Sequence, residues 1–284
     1  MNALGKPINN DQAPCGTTMP TLFIPHGGGP CFFMDWSVTG GPADTWDATA
    51  AWLRGLASTL PARPQAIVVV SGHWEEPVFT ACSGASPSLI YDYTGFPPHT
   101  YKLKYPAPGA PALAQRIAEL LTEAGLPAQT DPSRGFDHGV FIPLLLVNPQ
   151  ADIPVVPLSL KRGLDPAEHL AAGRALQRLR DEGVLIVGSG MSYHNMHAYR
   201  TPAATEPSEV FDHWLTETVS DRDLQHRWAR LLRWSDAPAA RNAHPREEHL
   251  LPLMVAAGAA QNAPGERIFS DTVMMARISG YRFG

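Results

Sequence analysis

Five apolar residues in a row, Ala66-Ile67-Val68-Val69-Val70, run into Ser71-Gly72-His73-Trp74-Glu75 and constrain this chain more than any other stretch. A strand with one solvated face alternates apolar and polar residues, whereas a strand covered on both faces shows an unbroken apolar run. The run is rich in β-branched side chains, which suit a pleated, buried surface. It predicts a central strand of a parallel sheet that ends in a tight turn presenting His73. The same arrangement recurs where Thr21-Leu22-Phe23-Ile24-Pro25 precedes His26. It recurs again where Val184-Leu185-Ile186-Val187-Gly188 leads through Ser189-Gly190-Met191-Ser192-Tyr193 to His194. Ligands of open α/β sheets collect beyond the carboxyl ends of the strands. Neutral imidazole is the commonest metal ligand, so three histidines at three such ends predict a metal site at one edge of the sheet.

The remaining sequence supplies the covering layers. Trp46, Ala50, Leu53, Ala57 and Leu60 recur at helical spacing over residues 44–60, and Leu113, Ile117, Leu120 and Leu121 mark a helix closed by Gly125. Asp165, Pro166 and Glu168 form a helix-start pattern, with Glu168 as the returning carboxylate. Residues 210–219 and 224–234 read as amphipathic helices whose His213 and His226 belong at the surface. Further strands are expected at 153–160 and 272–278, and 77–88, with Cys82, reads as an edge strand. Pro252 suits the first turn of a helix continuing over 254–260, which would set His249 at its mouth. Strands alternating with helices predict an α/β fold: a single domain with a central, mostly parallel or mixed sheet flanked by helices. Its span is 19–284, after a flexible tail at 1–18.

Composition narrows the function classes. Hydrophobic residues make up 44% of the 284, enough for a full core. A formal charge of −5 without any basic run argues against nucleic acid and anionic membrane as partners. Three scattered cysteines, Cys15, Cys31 and Cys82, offer no disulfide framework and suit a reducing compartment. No stretch approaches the length of a membrane helix, so a cytoplasmic location is expected. Gly27-Gly28-Gly29-Pro30 lacks the Gly-Lys-Ser/Thr ending of a phosphate loop and reads as a sharp turn instead. Neither H-E-x-x-H nor G-x-S-x-G occurs, which removes the common metalloprotease helix and the serine-hydrolase elbow. His138 stands apart in the Gly-flanked turn Gly135-Phe136-Asp137-His138-Gly139, with Asp137 placed to orient it. It reads either as a proton-transfer residue beside a metal or as a turn histidine bonded to backbone. The aromatic, proline-rich stretch from Tyr91 to Pro108 reads either as a lid over an apolar ligand or as a surface loop.

Several motifs together carry a resemblance. Pro25-His26-Gly27-Gly28, Ser71-Gly72-His73-Trp74, Gly95-Phe96-Pro97, Tyr105-Pro106-Ala107-Pro108-Gly109, Gly135 to Gly139, Ser189-Gly190 with His194-Asn195, and Glu248-His249-Leu250-Leu251-Pro252-Leu253 occur in the order found in class III extradiol ring-cleavage dioxygenases. The chain most resembles the single-chain 4,5-DOPA dioxygenase group of the LigB-like superfamily, from about Met19 to its end. The resemblance implies one divalent metal ion per chain near His26, His73 and His249, with His194 as a fourth ligand or a base. It implies His138 as an active-site histidine, and an aromatic diol with O2 as substrates. Better-known superfamily members use a glutamate where this chain has His249. The metal is therefore either Fe(II), for oxygenase chemistry, or the Zn(II) that an all-histidine site also suits. Gly27-Gly28-Gly29-Pro30 also departs from the Gly-Ser-Pro usual in the DOPA-type group.

Two other function classes share these residues. One is a non-oxygenase metal-binding protein of the same fold, Memo-like. The other is a zinc hydrolase using Glu75 or Glu248 as its base. A homo-oligomer stays open.

Overall fold

The computed structural model describes residues 17–284. The tail expected at 1–18 lies, up to residue 16 and including Cys15, outside the described residues. Eight strands form one sheet: β1 (Thr21–Pro25), β2 (Ala66–Glu76), β3 (Phe79–Cys82), β4 (Ala128–Asp131), β5 (Val155–Lys161), β6 (Val184–Gly190), β7 (Gly265–Val273) and β8 (Ala276–Phe283). The helices are α1 (Asp47–Leu56), α2 (Pro111–Glu123), α3 (His138–Val147), α4 (Pro166–Leu176), α5 (Pro202–Ser220), α6 (Leu224–Leu232), α7 (Ala240–Ala243) and α8 (Leu251–Ala259). Strand order is β4-β3-β5-β2-β6-β1-β8-β7. The middle four are parallel, and the sheet turns antiparallel at β3/β5, β1/β8 and β7/β8. The expected mixed, single-domain α/β architecture is what forms.

The apolar run at 66–70 behaves as a doubly covered strand must. Ile67 and Val69 point into the layer that holds α1 and α3, while Val68 and Val70 point into the layer that holds α2, α4, α5 and α8. All four side chains are buried. Each contributes about 1.5–3 kcal/mol relative to an exposed side chain. Because β2, β6 and β1 are parallel neighbours, their carboxyl ends lie side by side at one edge. That edge carries the site.

Four expectations need correction. β2 does not end at His73 but runs on to Glu76. Its pairing with β5 slips between Val70 and Glu75, so Ser71, Gly72, His73 and Trp74 form a bulge. The segment at 77–88 is not an edge strand, since β3 lies between β5 and the unexpected β4. The strand expected at 272–278 is the tip of the β7/β8 hairpin, whose two turn residues are Met274 and Met275. Asp165 caps α4 as expected, but Glu168 reaches Lys161 rather than returning to the helix start.

α8 is buried along its whole length, as a helix apolar all round must be. It lies so close to β6 that a Cβ on Gly188 would fall 2.3 Å from the Pro252 carbonyl oxygen. Gly188→Ala is therefore expected to cost about 1–3 kcal/mol through overpacking. The reading is a lower urea midpoint at unchanged slope. An unaltered midpoint would show that α8 can move off the sheet.

Candidate metal centre

Each histidine reaches the sheet edge by its own route. His26 directly follows β1, and its backbone N–H donates to Gly190 O at 3.1 Å. His73 sits on the β2 bulge. His249 precedes α8, and its carbonyl accepts from Met191 N at 3.1 Å. A Cβ on Gly190 would lie 2.1 Å from that same carbonyl oxygen, so only glycine lets the segment carrying His249 settle there. Ring centroids of His26 and His73 are 4.8 Å apart, those of His26 and His249 5.1 Å, and those of His73 and His249 4.6 Å. His73 Nε2 and His249 Nε2 are 3.1 Å apart. Two nitrogens bound tetrahedrally to one ion at 2.0–2.1 Å would be separated by about 3.3 Å.

His26 supplies the clearest sign that a group belongs here. It is buried, yet neither Nδ1 nor Nε2 has a hydrogen-bond partner. Unpaired polar atoms in a core are costly, and native structures rarely keep them without a reason. Burial, then the neighbouring histidines, lower the pKa of His26 and His73 well below the ordinary imidazole value. Burial first and His194 next take His249 down to about 3. The rings are thus neutral, the form that binds a metal. A donor set of imidazoles suits Fe(II) or Zn(II).

Carboxylates orient the rings from behind. Glu248 Oε1 lies 2.9 Å from His249 Nδ1 and 3.2 Å from His194 Nδ1. Burial raises the Glu248 carboxyl, but hydrogen bonds from those two rings outweigh it and hold it well below the usual carboxylate range. His194 stacks on His249 at 3.4 Å between centroids, and its N–H donates to Ala243 O. His138 opens α3 rather than sitting in a turn. Asp92 Oδ1 accepts from both its backbone N–H and its Nδ1, each at 2.9 Å. Asp137, expected to orient His138, instead pairs with Arg134 and accepts from Ser71 Oγ, each at 2.7 Å. Gly139 makes that packing possible, because a Cβ there would stand 2.6 Å from Ser71 Oγ.

All five sequence-predicted histidines come together, in two adjoining groups. His26, His73 and His138 offer ligand atoms within 4.8 Å of one another, as do His194, Glu248 and His249. His138 also sits 3.9 Å from His73 and 5.3 Å from His26, centroid to centroid. Asp92 and the orienting role of Glu248 were not anticipated. Asp92 gave only the signal of a lone acid in an aromatic loop. Glu75, a candidate hydrolytic base, is held in a two-point pair with Arg246 at 2.6 and 2.7 Å.

The histidines open into a cavity of about 440 Å³ walled by Trp36, Tyr93, Phe96, Met196, Arg200 and Met274. The aromatic loop therefore faces the site through Tyr93, Thr94 and Phe96, while Lys102 and Lys104 lie off its wall. Size and lining suit one aromatic ring.

A family model described as the catalytic LigB subunit of aromatic ring-opening dioxygenase matches residues 20–282. The chain is 37% identical to the dioxygenase tasH of Hapsidospora irregularis, across 93% of this chain and 85% of that protein. It is 42% identical to the 4,5-DOPA dioxygenase extradiol of Portulaca grandiflora, across 71% of this chain and 75% of that one. It is 36% identical to the protein of the same name from Escherichia coli (strain K12), across 89% of each. A crystal structure of an uncharacterised Escherichia coli K12 protein superposes with a TM-score of 0.73 at 31% identity, covering 94% of this chain and 100% of that one. With a histidine-rich edge of this kind on a fold of this kind, the chain belongs to the LigB family of class III extradiol, aromatic ring-opening dioxygenases.

Proposed function

We propose that this chain opens a catechol-type ring beside its two hydroxyls with O2, using one divalent metal held by His26, His73 and His249. The observation that carries the reading is the buried His26 ring with both nitrogens unpartnered, where His73 and His249 converge. Fe(II), or Zn(II) as an alternative occupant, would supply a Lewis acid that acidifies the first phenol and brings diol and O2 together. The second phenolic proton is too basic to leave unaided near neutrality and needs a protein base.

Two imidazoles are built for that work. His138 directs Nδ1 to Asp92 and His194 directs Nδ1 to Glu248, which leaves Nε2 of each as the acceptor. His194 contacts the His249 ring and follows β6 by a loop, which supports the role of base over that of a fourth ligand. It takes the second phenolic proton. His138, fixed at two points by Asp92, accepts the first phenolic proton at Nε2 and returns it to the oxygen being reduced. Tyr93, Phe96 and Trp36 exclude water from the reacting oxygens. The catalytic unit on this reading is the domain 19–284.

His73→Ala is expected to abolish stoichiometric metal binding, measured by elemental analysis after anaerobic Fe(II) or Zn(II) loading. A variant that keeps wild-type affinity would move the site elsewhere.

His138→Ala should retain metal and fold yet lose about 10²–10⁴-fold in ring-opening rate, followed by O2 uptake. His194→Gln should weaken metal binding less than His26→Gln while losing the ultraviolet band of the bound catechol dianion. If His194→Gln loses metal as completely as His26→Gln, it is a ligand and the base is His138.

A further inference from the structure

We propose that Arg200 selects the substrate's ring substituent, its guanidinium receiving a single carboxylate carried on the aromatic diol. The proposal rests on the ring-opening reading for the diol and adds the group attached to it. A second cavity of about 490 Å³ abuts the histidine cavity, and the two share Trp36, Arg200 and Met274 as a common wall. Trp36 spans that wall. Its Cη2 would stand 3.8 Å from a Cβ on Gly28, in the histidine cavity, and its Nε1 3.2 Å from a Cβ on Gly41, in the second one. A ring seated at the histidines therefore has a built space beside it for a substituent, reached past Trp36 and Arg200.

Arg200 is the only lysine or arginine lining either cavity among the described residues. Its guanidinium lies 5.5 Å from the Trp36 ring centroid, donates through Nη2 to Thr39 Oγ1 at 2.7 Å, and donates through Nη1 to Thr39 O. Those bonds use two of its five N–H groups. Among the described residues no carboxylate lies within ion-pair distance of it. The exposed guanidinium is thus held over the Trp36 ring and by Thr39 with donors to spare, the state in which arginine recognises a carboxylate well. Its backbone is fixed as well, at a left-handed φ of 66°, with N–H donating to Met274 O at 2.8 Å.

Asp44 and Asp271 also line the second cavity. Their charges oppose a second negative group on the substituent. A monocarboxylate is favoured over a phosphate or a dicarboxylate for that reason.

The test compares 3,4-dihydroxyphenylpropionate with the neutral 4-ethylcatechol on the metal-loaded chain, by turnover in air and by anaerobic calorimetry. The wild type is expected to prefer the carboxylated ring. Arg200→Gln should collapse the ratio of the two affinities, and of the two KM values, by about 10–100-fold, the effect of losing one charge-assisted hydrogen-bonding group. Arg200→Lys should restore part of it. If Arg200 only ties Thr39 to the hairpin, both ligands weaken together and the ratio stays as in the wild type, which overturns the proposal. If the wild type opens neither ring yet calorimetry shows the Arg200-dependent ratio, ring opening is wrong and this assignment stands.

Discussion

The histidine cluster depends on one place where backbone touches backbone, the crossing of the segment before α8 over the carboxyl end of β6. Any side chain at Gly188 or Gly190 would occupy the carbonyl oxygens of Pro252 or His249. Removing those side chains brings His249 beside His26, whose own N–H is tied to Gly190 O. The contact thus converts a sequence separation of more than two hundred residues into adjacent rings. Once β1, β6 and β2 are parallel neighbours, His73 needs only the bulge to join them. A bulge re-aims a side chain without ending the strand, and here it does so next to the site.

Packing several imidazoles into a nearly dry edge creates an electrostatic demand that the chain meets from behind. Burial and mutual repulsion keep His26, His73 and His249 neutral, as ligation requires. Asp92 and Glu248 then settle which nitrogen of His138 and of His249 faces the cavity, by accepting from Nδ1. Carboxylate partners behind metal-facing histidines fix tautomer and orientation together. Asp137 illustrates the limit of this device. Fully buried and next to the charge of Asp92, its carboxyl is raised, and Ser71 and Arg134 pull against that. It holds the β2 bulge against α3 instead of serving a histidine.

The parts of the fold that were legible in the sequence are those where one residue's surroundings follow from its neighbours in the chain. Val68 and Val70 had to be covered on one side and Ile67 and Val69 on the other, whatever covered them, so the central strand and the place of His73 could be read. β4 could not, because Ala128-Gln129-Thr130-Asp131 has neither an apolar run nor β-branched density and is held by its pairing with β3. The β7/β8 hairpin was hidden because a two-residue turn ordinarily advertises itself with Asn or Gly, and here it is Met274-Met275. Asp92 and Arg200 share a different obscurity. Each is an ordinary charged residue in a loop, and its direction is decided by what the loop packs on.

The rim of the cavity is built on the opposite principle from its floor. At the floor, glycines relieve contacts. At the rim, Arg200, Met274 and Met275 all hold left-handed backbone angles that their side chains disfavour. Each such residue costs about 1–3 kcal/mol and persists only where the surroundings over-determine it. The hydrogen bond from Arg200 N to Met274 O joins two of the three, so neither can relax without losing a backbone partner. Glycine or asparagine would satisfy the same angles at lower cost but would remove Met274 and the guanidinium from the cavity wall. The strain is consistent with these side chains being required where they are. The floor gathers the histidines and the rim shapes what can lie against them.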